Sequence, residues 1–216
     1  VNHLPIVNAG ADQTVCAGQS VILTATGSGT YSWSGGVQNG VAFIPTITTT
    51  YTVTATNSCG SVTDEVVVTV GDPLPTVIAG TDQTVCAGQS VTLTATGTGT
   101  FSWSDGVQNG VAFVPTITTT YTVTATNDCG SVTDEVTVTV NPLPTANAGA
   151  DVSICLGDNT ILNGTGNGTY SWSPSTGLSS TTIANPVTSP TITTTYTLTV
   201  TNSCGSIDDF VDVTIN

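Results

Sequence analysis

The chain contains no lysine, no arginine and no methionine, and it has a single histidine. Without cationic side chains it has nothing to neutralise phosphates, which excludes nucleic acid as a partner. Attraction to anionic membrane surfaces is excluded for the same reason. Schiff-base chemistry and Lys–Asn isopeptide cross-links both require the missing lysine. No run approaches the roughly 20 apolar residues of a membrane helix, so membrane insertion is not expected. No secretory leader pattern opens the sequence, which therefore reads as a mature or excised segment. Catalysis needs a nucleophile with a base, a tuned acid pair or a metal. His3 is the only imidazole, and it lies in a linker. The expectation is a protein that is not an enzyme.

The sequence does contain a repeat. Ala9–Thr26 reads AGADQTVCAGQSVILTAT and Ala79–Thr96 reads AGTDQTVCAGQSVTLTAT. A third, more divergent copy begins near Ala148-Gly-Ala-Asp-Val-Ser-Ile-Cys155 and carries an insertion between Trp172 and Tyr196. Self-similarity at a fixed period defines the organisation before any finer reading. The expected domains are residues 1–71, 72–141 and 142–216. Their linkers are alike: Gly71-Asp-Pro-Leu-Pro75 and Asn141-Pro-Leu-Pro144. Val1-Asn-His-Leu-Pro5 and Val213-Thr-Ile-Asn216 match the same phase of the repeat, which suggests a longer array. The alternative is a complete three-domain secreted protein.

Each copy reads as strands. Val21, Leu23 and Ala25 alternate with Ile22, Thr24 and Thr26, and Tyr51, Val53 and Ala55 alternate with Thr52, Thr54 and Thr56. Period-two alternation over such short runs marks strands with one buried face. Gly-rich and Asn-rich segments punctuate them as turns. Six or seven short strands in about 70 residues predict an all-β chain of three tandem immunoglobulin-like sandwich domains.

The cysteines fall two per copy: Cys16 and Cys59, Cys86 and Cys129, Cys155 and Cys204. Six cysteines allow fifteen connectivities. A self-sufficient repeat must pair within itself, so one intradomain disulfide per copy is expected. Closing a loop of about 44 residues is worth up to roughly 4 kcal/mol in the chain-entropy model. Disulfides also place the chain in an oxidising, extracellular compartment, secreted or on the cell surface.

Other recurring groups are weaker candidates. Asp12, Asp82 and Asp151 recur near a linker, and Asp64-Glu65, Asp134-Glu135 and Asp208-Asp209 recur in the last strand. Hard cations take carboxylate and carbonyl oxygens, so these acids are the candidate ligands should calcium bind. The alternative is a solubilising, aggregation-blocking edge. No other cofactor is indicated. Trp33, Trp103 and Trp172 alternate with Tyr or Phe on a central strand, which favours core packing over a sugar-stacking platform. Asn163 and Asn167 stand in Asn-Gly-Thr sequons and are candidate glycosylation sites.

The pattern AGADQTVCAGQSVTLTATG, then YSWS, then TITTTYTVTATNSCG resembles the PKD-like or immunoglobulin-like repeats of very large secreted surface proteins of the Bacteroidota. The resemblance covers the whole chain three times. The usual Trp-Asp-Phe-Gly-Asp-Gly signature is replaced by Trp33-Ser-Gly-Gly and Trp103-Ser-Asp-Gly, so the domain is PKD-like. The resemblance implies type IX secretion and roles as adhesins, gliding-associated filaments or stalks. The function expected is a non-catalytic structural repeat of a long extracellular fibre, filament or adhesin stalk, with neighbouring repeats of the same fibre as partners. Two alternatives stand beside it: a self-assembling filament subunit joined by strand or linker packing, and a carbohydrate-binding array that takes surface glycans.

Overall fold

A computed structural model describes residues 3–216. Val1 and Asn2, where the first expected domain opens, lie outside the described residues. Among its described residues the first repeat has eight strands: β1 (Val7–Asn8), β2 (Gln13–Cys16), β3 (Val21–Ile22), β4 (Thr26–Gly27), β5 (Thr30–Trp33), β6 (Ala42–Phe43), β7 (Thr49–Asn57) and β8 (Gly60–Gly71). The second follows with β9 (Val77–Ile78), β10 (Gln83–Cys86), β11 (Val91–Thr92), β12 (Thr96–Gly97), β13 (Thr100–Trp103), β14 (Ala112–Phe113), β15 (Thr119–Asn127) and β16 (Gly130–Asn141). The third has β17 (Ala146–Asn147), β18 (Val152–Ile154), β19 (Thr160–Ile161), β20 (Thr165–Gly166), β21 (Thr169–Ser173), β22 (Val187–Thr188), β23 (Thr194–Asn202) and β24 (Gly205–Ile215). No helix of the described residues is long and apolar enough to cross a membrane.

By its contacts the chain divides into two compact units: Val1–Gly80 with Leu93–Val111 and Tyr121–Glu135, and Thr81–Thr92 with Ala112–Thr120 and Val136–Asn216. In the first unit, β2, β8, β7 and β5 form a four-stranded sheet in that order, while β1–β4 and β3–β6 form short antiparallel pairs. The β7–β8 hairpin is the longest pairing, from Thr49↔Val68 to Asn57↔Gly60. Its inner residues Tyr51, Val53, Val66 and Val68 pack on Val21, Leu23, Ala25 and Trp33. In the second unit the same order recurs as β18, β24, β23 and β21, around Leu162, Trp172, Tyr196, Leu198, Val211 and Val213. The alternation read from sequence therefore reproduces the buried face, and Thr fills the outward positions because β-branched side chains suit a pleated surface.

The first strand of each repeat changes sheets. β1 pairs antiparallel with β4, and after four intervening residues β2 pairs parallel with the end of β8, in the register Gln13↔Val68 to Cys16↔Gly71. Gly10 makes the crossing at φ +89°, a conformation open to Gly because it has no Cβ. The third repeat repeats the crossing, with β18 parallel to β24 from Val152↔Val213 to Ile154↔Ile215.

The three tryptophans are core residues by exposure: 6% for Trp33, 6% for Trp103 and 2% for Trp172. A buried indole must satisfy its N–H. Trp33 Nε1–H donates to Asn39 Oδ1 at 3.1 Å, and the same oxygen accepts the Ala25 N–H at 2.7 Å. Asn109 serves Trp103 and Ala95 in the same way. In the third repeat the insertion supplies the acceptor, and Trp172 Nε1–H donates to the Ile183 carbonyl at 3.0 Å. A ring enclosed in this way offers no face to a sugar. Trp172→Ala should cost about 3–5 kcal/mol of stability. Urea unfolding followed by near-UV circular dichroism would measure it, and an unchanged midpoint would refute the core assignment.

Candidate functional site

The recurring polar residues converge on two places in each repeat, the strand crossing and the junction with the preceding segment. At the crossing, Asp64 accepts the Ala9 N–H at 2.8 Å and Asp12 accepts the Val67 N–H at 2.8 Å. The two carboxylates thus tie the first and last strands together from either side of the crossing. Asp134 and Asp82 do the same for Ala79 and Thr137, and Asp209 and Asp151 for Ala148 and Asp212. Asp209, not Asp208, stands in the place of Asp64. Glu65 and Glu135 instead accept the Thr52 and Thr122 hydroxyls across the hairpin, each at 3.3 Å, and Asp208 accepts Thr199 Oγ1–H at 2.6 Å.

The candidate calcium ligands are therefore engaged one by one. Among the described residues no three His, Cys, Asp or Glu side chains are grouped to hold a metal. The recurrence of these acids has a structural cause. In a chain without Lys or Arg these acids take backbone N–H and hydroxyl donors instead of a basic side chain. The N–H of Ala9, and then that of Glu65, hold Asp64 below its ordinary pKa of 3.8. Asp134 is lowered likewise by Ala79 and then Glu135.

The junction is built on the turn Asn-(Ser/Asp)-Cys-Gly between the two long strands. Asn127 Oδ1 accepts the Cys129 N–H at 2.9 Å, and Asn127 Nδ2–H donates to the Pro73 carbonyl of the linker at 2.7 Å. Asn202 makes the same pair of bonds with Cys204 and Pro142, at 2.8 and 3.2 Å. Asn57 makes them with Cys59 and His3, at 2.8 and 2.9 Å. The Gly after each Cys has a positive φ, +139° at Gly60 and +135° at Gly130, and a Cβ there would also press on Leu4 or Leu74 of the linker. Pro5, Pro75 and Pro144 are buried. The linker is thus a bonded part of the following repeat. These Asn residues were not singled out from sequence, although their fixed place two residues before Cys in every copy was the available signal.

The disulfides correct the sequence expectation. Cys16 bonds Cys129 and Cys86 bonds Cys204, with Cα–Cα distances of 5.7 and 5.5 Å. Each bond joins consecutive repeats, so the intradomain pairs Cys16–Cys59, Cys86–Cys129 and Cys155–Cys204 do not form. Among the described residues there are two disulfides, and Cys59 and Cys155 are free and exposed. The reason lies in the register. Cys16 stands opposite Gly71, at the far end of β8, whereas Cys59 sits in the hairpin turn just before Gly60. At about 3.3 Å per residue the length of β8 separates them by on the order of 35 Å. A disulfide spans at most about 7 Å between Cα atoms. The far end of one repeat carries one cysteine, and the near end of the next carries its partner. A groove of about 430 Å³ lies beside the first bond, between Thr14, Val15, Gly71, Asp72 and Asp128.

The sequon asparagines of the third repeat, Asn163 and Asn167, are exposed. Asn163 Nδ2–H points to the Ile161 carbonyl at 3.4 Å, and Asn167 Nδ2–H donates to the Leu143 carbonyl at 3.0 Å.

No protein-family model and no curated protein sequence matches the chain. Solved structures do. The chain is similar to a three-domain immunoglobulin structure of titin, a Glu-to-Ala variant, at 16% identity and a TM-score of 0.59, covering 98% of each chain. It is similar to an I-band fragment of titin at 15% identity and a TM-score of 0.58, again over 98% of each chain. At such identity the likeness establishes the fold alone: three tandem immunoglobulin-like domains.

The crossing latch makes stability depend on acid. A carboxylate whose pKa is lowered by folding stabilises the fold fully above its ordinary value, and that contribution is lost as pH falls through the lowered one. The melting temperature should therefore drop as pH falls below about 4. The Asp64→Asn, Asp134→Asn double variant should melt lower at pH 6 and show a shallower drop. Calorimetry across that range gives both slopes, and equal slopes would contradict the latch.

Proposed function

We propose that the chain is a non-catalytic structural segment of an extracellular surface fibre or adhesin stalk, with its three domains at residues 1–71, 72–141 and 142–216. The observation that carries this reading is the pairing of cysteines between consecutive repeats. A bond inside a domain serves that domain's own stability. A bond between domains fixes one against the next, which matters where spacing and rigidity are the product. The bonded, Pro-containing linker acts in the same direction.

The remaining features agree. The side chains that recur in every repeat, Trp, Asp and Asn, are engaged in core packing or in bonds to the chain itself. Disulfides persist in oxidising compartments, which supports a secreted or surface location. The resemblance to PKD-like surface repeats points the same way. Neighbouring repeats of the same fibre are the partners this reading assigns.

Two measurements test it. Peptide mapping without reduction should recover Cys16 linked to Cys129 and Cys86 linked to Cys204, with only Cys59 and Cys155 alkylated. Recovery of Cys16–Cys59 would sink the reading. Small-angle scattering of a variant with Cys16, Cys86, Cys129 and Cys204 all changed to Ser should show a broader spread of particle dimensions at unchanged circular dichroism. Unfolded repeats in that variant would mean that the bonds are staples, and identical scattering would mean that they restrain nothing.

A further inference from the structure

The two unpaired cysteines are the two halves of one more junction. Cys59 lies in the turn Asn57-Ser-Cys-Gly60, whose sequence is identical to the turn Asn202-Ser-Cys-Gly205 that carries the bonded Cys204. The Asx bond is the same, with Asn57 Oδ1 accepting the Cys59 N–H at 2.8 Å and Asn202 Oδ1 accepting that of Cys204 at 2.8 Å. The linker clamp is the same too, from Asn57 to His3 as from Asn202 to Pro142.

Cys155 matches the other half. The bonded Cys16 and Cys86 each open a tight turn, in which the N–H of Gln19 or Gln89 donates to the cysteine carbonyl at 3.0 or 2.9 Å. Asp158 N–H donates to the Cys155 carbonyl at 3.0 Å, and Gly157 has a φ of +95° where Gly18 has +86° and Gly88 has +85°. Cys155 also follows directly on the parallel pairing Ile154↔Ile215, as Cys86 ends the pairing that runs to Cys86↔Asn141.

Neither free cysteine can close within its own repeat. The length of β8 separates Cys59 from Cys16, and the length of β24, Gly205–Ile215, separates Cys204 from the end at which Cys155 stands. Both thiols are exposed. The chain thus carries two formed copies of a junction and one copy split into its donor and acceptor halves.

We infer that Cys155 and Cys59 are complementary halves of a further head-to-tail junction like those formed by Cys16–Cys129 and Cys86–Cys204, so that Cys155 bonds the turn cysteine of whichever repeat follows it and, when the 216-residue chain stands by itself, Cys59 of a second copy. The step is an oxidation. The two thiols lose two protons and two electrons and form one S–S bond, and a disulfide oxidant such as oxidised glutathione is reduced to two thiols. The contact is heterologous, since two different surfaces meet, so addition continues until a ring closes or a filament extends. The inference rests on the reading of the bonds as junctions between repeats.

The experiment uses the full chain in a glutathione redox buffer, analysed by non-reducing electrophoresis, light scattering and peptide mapping. Wild type should give a ladder of multiples that collapses on reduction, with a Cys59–Cys155 cross-linked peptide. Cys59→Ser and Cys155→Ser should each remain monomeric alone, and an equimolar mixture should give a dimer and nothing larger. Predominant Cys59–Cys59 or Cys155–Cys155 bonds, an intrachain Cys59–Cys155 bond, or monomers that keep both thiols free would overturn the inference. The same maps report Cys16–Cys129 and Cys86–Cys204. Their absence would count against the junction reading itself, while their presence without a ladder would count against head-to-tail linkage alone.

Discussion

The parallel pairing of the short second strand with the end of the last one governs the rest of the molecule. It sets Cys16 opposite Gly71 and Ile154 opposite Ile215, and so brings one cysteine of each repeat to the end where the chain leaves it. The other cysteine is carried to the opposite end by the long hairpin. With its own partner out of reach, each cysteine can be satisfied only by a neighbouring repeat. The disulfide pattern is therefore a consequence of strand register, and the same register places the linker against the turn that receives it.

That register depends on the crossing, and the crossing depends on carboxylates. Gly10 supplies the turn, and the Asp12 and Asp64 side chains accept the backbone N–H groups there. A lysine or arginine nearby would compete with the backbone N–H groups for such a carboxylate. Here there is no Lys or Arg, so these carboxylates serve as backbone acceptors, and such bonds to charged groups are among the stronger ones. The core obeys the same economy of donors and acceptors: among the described residues no buried side-chain nitrogen or oxygen lacks a partner.

Much of this was legible in the sequence. The alternation of Tyr51, Val53 and Ala55 with threonines gave the buried face of the long strand, and the position of Trp33 on a short strand between the cysteines marked the core. Two things were not legible. Treating each repeat as self-sufficient led to pairing within it, because nothing local in Gln13–Cys16 says that this strand runs parallel to a partner more than fifty residues away. The acids were read as candidate calcium ligands because spacing shows that Asp12 and Asp64 recur but not that each faces a backbone N–H. The hairpin offered a clue: Cys59 stands at the turn between the two longest alternating runs, hence far from anything near the other end of those runs.

The two disulfides interlock along the chain, and this shapes how it would behave under tension. A continuous covalent route runs from the first residue to Cys16, crosses to Cys129, returns along the chain to Cys86, crosses to Cys204 and continues to the last residue. It bypasses residues 17–85 and 130–203, including both linkers. Pulled at its ends with every strand undone, the oxidised chain could be drawn out to only roughly a third of its contour length, at about 3.5 Å per residue on the route. Strands within the bypassed stretches would bear no load at that limit, which makes the bonds a tether of fixed length running through the repeats.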